Sequence, residues 1–143
     1  MKKLIIMIVS SFVIQYFIMP FVMINNFTYF TFSLGKVYIS LLMGFLMGIV
    51  EMLMHDMRYN SMSTNYYIGL VISSIICIYL YRLQIGITDA QYLEEMIEHH
   101  SMALLTSGII EKKSDNYEVV ALSKNIIQVQ NDDILKMRDL LHI

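Results

Sequence analysis

The chain has 143 residues, of which 57% are hydrophobic and only 15% charged, with a formal net charge of -2 and a mean hydropathy of +0.57. That balance lies outside the norms of soluble globular proteins and excludes a chain for which water is the only solvent. Charge is also unevenly placed: residues 1–87 carry +3 and residues 88–143 carry -5, so an apolar half precedes an acidic, water-compatible half, and neither is basic enough for a nucleic-acid partner.

In chain order, residues 4–24 (LIIMIVSSFVIQYFIMPFVMI) contain no charge and are long enough to cross a hydrocarbon core of about 30 Å. Lys2 and Lys3 precede them as in a signal peptide, but the apolar run is too long and no small-x-small cleavage site follows, so an uncleaved first helix is expected. Pro20, in its last third, predicts a kink or an early end. NNFTYFTFSLGK, residues 25–36, reads as an aromatic loop suited to a membrane–water interface. A second span is expected over 37–54 and a third over 66–86, with a polar loop between them. Cys77, the single cysteine, lies in the third apolar run and is expected to be a small core residue. With the N-terminus cytoplasmic, Lys2, Lys3 and Arg58 lie inside and Lys36 and Arg82 outside, which places the C-terminal domain on the non-cytoplasmic side.

The acidic half reads as an αα-hairpin. Thr88 and Gln91 have capping-box spacing, and the helical pattern then runs to about Lys113; Asp115 and Glu118 have the same spacing at the start of a second helix. The expected fold is therefore all-α, with a membrane domain over 1–87 and an antiparallel helical hairpin domain over 88–143.

Within the hairpin, QYLEEMIEHHSMALL places His99 and His100 between Met96 and Met102. On a helix Met96 lies one turn from both histidines and Met102 one turn beyond His99, while the adjacent imidazoles diverge by about 100°. Imidazole nitrogen with thioether sulfur is a soft donor set that favours Cu(I). An antiparallel turn near Asp115 sets position 96 roughly opposite 134 and 100 opposite 130, which brings Gln130, Asp133 and Met137 within reach, the first two as groups supporting the ligands.

MIEHHSMALL followed by DNYEVVALSKNIIQVQNDDILKM resembles the domain of unknown function 305 family, in which a Met-Ile-x-His-His helix precedes a second helix ending Gln-x-x-acid-Ile-x-x-Met. The resemblance covers residues 88–141. It implies a ferritin-like helical fold and copper binding outside the cytoplasm, with Met96, His99, His100, Met102 and Met137 as metal-associated residues and Gln130 and Asp133 matching the second-helix motif. The sequence departs from the family pattern in having Leu104 for Ile, and Asp132-Asp133 where a Glu is common. Met96-Ile-Glu-His99 also replaces the Glu-x-x-His of a di-iron site, putting a thioether where a hard carboxylate is needed.

A second pattern lies in the second span, where Met43, Met47, Glu51 and His55 recur every four residues with Met54 alongside. Such a stripe would pass a soft cation or proton, or simply fill gaps while Gly44 and Gly48 admit close helix packing. Glu51 is expected to pair with His55 or another helix.

Three functions are consistent with these features. The first is a membrane-anchored copper-binding protein of metal homeostasis or resistance. The second is a structural bundle protein whose homo-oligomers depend on Gly44 and Gly48. The third is an oligomeric cation or proton pathway around Glu51. Membrane lipid is an expected partner of all three. No nucleophile–base pair, phosphate-binding glycine loop or complete carboxylate set points to an enzyme.

Overall fold

The structure, a computed structural model, describes residues 2–141; residues 1, 142 and 143, the outermost positions of the two expected domains, lie outside the described residues. The described residues contain helices and no strand, as the apolar runs and 3.6-residue periodicities require. Five long helices form: α1 (Lys2–Met23), α2 (Leu34–Tyr59), α3 (Thr64–Arg82), α4 (Asp89–Lys113) and α5 (Tyr117–Leu141). The first three are long and apolar enough to cross a membrane. Their outward side chains, including Ile5, Ile6, Val22, Ile68 and Ile75, are more than half exposed, an arrangement suited to lipid and costly in water.

Pro20 does not end α1. The helix widens into a π turn over Ile14–Ile18 and continues through Met19–Met23, with Ile24 N–H donating to the Pro20 carbonyl. The ring of a proline crowds the carbonyl four residues earlier, here Tyr16, and the wider turn lies across that residue. The third span stops at Arg82 rather than 86, because Gln84 (φ 52°) and Gly86 (φ 76°) turn the chain through the left-handed region; the Tyr38 hydroxyl donates to the Ile85 carbonyl and holds that turn.

Contacts divide the chain into two compact units, one of Met1–Met19 with Leu34–Ile87 and the other of Pro20–Ser33 with Thr88–Ile143. The division falls differently from a single cut at 87/88, since the aromatic loop belongs with the C-terminal hairpin.

In the first unit α1, α2 and α3 pack around Leu4, Met52 and Leu70, with Ile8, Phe45, Ile49 and Tyr67 against them. The packed face of α2 is Ser40, Gly44, Gly48 and Met52. A Cβ at Gly44 would lie 2.9 Å from the Ile8 carbonyl oxygen, and one at Gly48 3.1 Å from the Ile8 side chain and 3.2 Å from Leu70. The two glycines therefore serve packing within the chain, where Ile8 lies over both and Leu70 over Gly48. Asp56 closes the α2–α3 connection, accepting from the Ser63 amide (2.8 Å) and from the hydroxyls of Ser61 (2.9 Å) and Ser63 (3.0 Å).

In the second unit Thr88 forms the expected capping box with Gln91. The start of α5 is corrected by one residue from the Asp115 expectation: Asn116 Oδ1 accepts from the amides of Glu118 (2.9 Å) and Val119 (3.4 Å). A carboxamide there reaches the open amides of the first turn as an N-cap does. The hairpin core is Ile97, Leu104 and Ile134, joined by Tyr29, Ile127, Met137 and Leu141. Ile97 meets Ile134 in the register expected from a turn near residue 115.

Candidate metal centre on the helical hairpin

The inner face of α4 is polar as well as apolar. Glu95, Glu98 and Ser101 recur at intervals of three, one helical turn apart, and all three are buried, Ser101 completely. Each receives the loop that follows α1. Ser101 Oγ accepts from the Asn25 amide at 2.9 Å. Glu98 Oε2 accepts from the Thr31 amide at 2.9 Å and from the Thr31 hydroxyl at 3.2 Å, and Glu95 Oε2 accepts from the Ser33 hydroxyl at 2.8 Å. A loop has no ladder partner for its amides, so these acceptors supply what secondary structure cannot. The three helices long and apolar enough to cross a membrane are compatible with these bonds, since an odd number of crossings before each would leave residues 25–33 and 88–141 on one side. Sequence reasoning missed this strap; the signal was three acceptors at one-turn spacing on a face that is otherwise core.

Aromatic contacts hold the strap further. Phe21 stacks on Phe30 with ring centroids 4.6 Å apart, and the Arg138 guanidinium lies 5.0 Å from the centre of the Tyr29 ring.

Between Glu98 and Ser101 in the chain stands the histidine pair, whose members have different surroundings. His99 is exposed and His100 half-buried, as a 100° divergence dictates. His100 Nδ1–H donates to the Met96 carbonyl at 2.7 Å. In the neutral ring this leaves the lone pair on Nε2, which lies 3.6 Å from Asp133 Oδ2 across the hairpin. Asp133 is shared, since Lys136 Nζ lies 3.8 Å from its other oxygen. Met96 and Gln130 are half-buried, and Met137 packs against the hairpin core. Met102 is two residues beyond His100, about 200° round the helix.

The sequence-predicted residues thus divide. His100, Asp133 and the turn of Met96 come together; Gln130 and Met137 lie on the Asp133 face of α5, three and four residues away; His99 and Met102 do not join them. Among the described residues no three His, Cys, Asp or Glu side chains converge on one point. A metal held here would therefore take His100 Nε2 as its nitrogen ligand and draw on thioether sulfur or the Asp133 carboxylate for the rest. That donor set fits copper: a ring fixed by a backbone hydrogen bond is the usual state of a metal-ligating histidine, and Met side chains have the torsional freedom to reach inward.

The α2 stripe is also placed. Met43 and Met54 are 41% and 52% exposed, on the side of α2 away from Gly44 and Gly48. His55 Nδ1 lies 3.1 Å from Asp56 Oδ1, so among the described residues the expected Glu51–His55 pair is replaced by His55–Asp56. Glu51 instead lines a cavity with Lys2, Lys3 and His55.

Residues 89–142 match the family described as Domain of unknown function (DUF305). Uncharacterized protein L153 of Acanthamoeba polyphaga mimivirus is 30% identical to this chain over 140 residues, which is 98% of this chain and 91% of that protein. No solved structure matches the chain. The chain belongs to one family with the mimivirus protein, and its C-terminal hairpin is a DUF305 domain. The likeness to that relative reaches through the three apolar helices as well as the hairpin.

Proposed function

We propose that this DUF305 protein is a membrane-anchored copper-binding protein whose hairpin holds the ion through His100, on the non-cytoplasmic side of the membrane. The observation that carries the reading is the bond from His100 Nδ1–H to the Met96 carbonyl, which orients the ring and leaves Nε2 as the available donor. The thioethers of Met96 and Met137 supply the soft ligands that favour Cu(I), and Asp133, 3.6 Å from Nε2, offers a harder ligand or a negative charge beside the ion. Residues 25–33, bound to Glu95, Glu98 and Ser101, brace the helix that carries the site. Its role is to hold and retain the ion, in metal homeostasis or resistance; no catalytic step is assigned to it.

The test is a Cu(I) titration of the full chain in detergent, under reducing conditions with a competing chelator, for the wild type, His100→Ala and His99→Ala. His100→Ala is expected to weaken binding by more than the roughly 10–100-fold typical of losing only a supporting hydrogen bond, and His99→Ala by far less. Equal binding by the wild type and His100→Ala would remove the proposal.

A further inference from the structure

The first unit has a cavity of mixed charged and apolar lining that the copper reading does not use. It measures about 460 Å³ and is lined by Lys2, Lys3, Glu51, His55, Tyr59 and Tyr66, within the range of about 300–1,000 Å³ common for small-ligand sites. An adjoining space of about 450 Å³ shares Lys3, Glu51, His55 and Tyr59 and adds Arg58 and Met54. Leu4 and Met52, two members of the core cluster, close its floor.

Depth follows from helix packing. Ile8 of α1 lies against Gly44 and Gly48 of α2, and Leu4 against Met52, so the two helices run antiparallel and the first residues of α1 stand level with Glu51 and His55. Glu51 is thus level with the two lysines and about two turns before the end of α2 at Tyr59, where the apolar run gives way to charged side chains and a bilayer would present its headgroups.

Its chemistry is of two signs. Lys2 and Lys3 line the first space and Lys3 and Arg58 the second, so Lys3, common to both, is joined by one further cation in each, and a phosphate would be drawn there as basic pockets at membrane interfaces draw lipid headgroups. Those groups alone would select an anionic lipid. Glu51 changes the preference: a carboxylate beside the phosphate site repels a second negative charge and attracts an ammonium. Tyr59 and Tyr66 add ring faces suited to that cation, with the His55 ring 4.8 Å from Tyr59. Met54, 52% exposed, continues the second space onto the apolar flank of α2, along which an acyl chain would lie.

We propose that this cavity binds a phosphodiester bearing an ammonium group, the headgroup of an aminophospholipid such as phosphatidylethanolamine, with Lys2, Lys3 and Arg58 on the phosphate and Glu51 on the ammonium. The full chain, purified in detergent and stripped of lipid, is offered equimolar phosphatidylethanolamine and phosphatidylglycerol and examined by native mass spectrometry. The wild type is expected to retain phosphatidylethanolamine preferentially. Glu51→Gln should erase or reverse that preference, by about fivefold for the loss of one interfacial charge interaction. Lys2→Gln with Lys3→Gln, at exposed positions, should lower retention of both lipids, and Arg58→Gln does the same independently of α1. Excess glycerophosphoethanolamine separates the sources: displacement assigns the site to a soluble phosphoester, and persistence of the adduct to the bilayer lipid, the headgroup chemistry standing in both cases. Equal retention of the two lipids by the wild type, or a preference unaltered by Glu51→Gln, overturns it.

Discussion

The Thr31 amide donates to Glu98 Oε2 at 2.9 Å, joining residues 67 positions apart in the chain. Glu98 is only 3% exposed, and a buried carboxylate is tolerated where donors meet it. The contact makes the loop after the first apolar helix a structural part of the hairpin domain.

Glu98→Ala should accordingly loosen that loop before it harms either helix. The Thr31 amide loses a buried acceptor, a change that typically costs about 1–3 kcal/mol, and Glu98→Gln, which keeps one acceptor oxygen, costs less. Hydrogen exchange of residues 25–33 in the two variants reads the order; slow exchange persisting in Glu98→Ala would show that the bond is dispensable.

The hairpin core is small, so individual side chains count heavily. Ile134, 3% exposed, meets Ile97 and Leu104, and Ile134→Ala is expected to cost about 2–5 kcal/mol. Denaturation followed by circular dichroism checks it.

Glycines in this chain should respond to alanine in opposite directions. Gly44→Ala places a methyl 2.9 Å from the Ile8 carbonyl oxygen, a backbone atom that cannot swing aside, and should destabilise the first unit by about 1–3 kcal/mol. Gly108→Ala meets nothing within 4 Å and should stabilise α4 by about 0.5–1 kcal/mol. Thermal unfolding in detergent compares the pair, and a Gly44→Ala protein as stable as wild type would contradict the packing described.

Around His100 the charges predict a direction for each neighbour. Lys136 sets a cation 3.8 Å from Asp133 and opposes a second cation there. Lys136→Gln should therefore raise copper affinity by up to about fivefold, the scale of an exposed ion pair, while Asp133→Asn lowers it by about tenfold or more. The same competitive titration measures both, and a fall in affinity for Lys136→Gln would place the ion elsewhere.

Asp56 binds the turn between α2 and α3 through the Ser63 amide and two hydroxyls. Asp56→Ala should speed exchange of the Ser63 amide while leaving the helix interiors protected. Unchanged exchange would mean that the turn is held by its helices alone.

Local patterns in the chain were enough for the helices and their order. Apolar runs of spanning length mark α1, α2 and α3, Thr88 and Gln91 mark the start of α4, and the hairpin register follows from a short turn near residue 115, because each depends on residues close in sequence. The rotation of each helix is different. Fourfold spacing on α2 describes Met43, Met47, Glu51 and His55 as well as Ser40, Gly44, Gly48 and Met52, and only Ile8 and Leu70, packed from other helices, decide that the second set is the inner face. Likewise His99 and His100 are equivalent as letters, yet α5 covers one and leaves its neighbour exposed, since a step of 100° carries a side chain off the contact. Glu95, Glu98 and Ser101 looked like part of an acidic helix; their partners Ser33, Thr31 and Asn25 are brought to them only when the chain has folded back, because such bonds depend on distance in space and leave no mark on local periodicity.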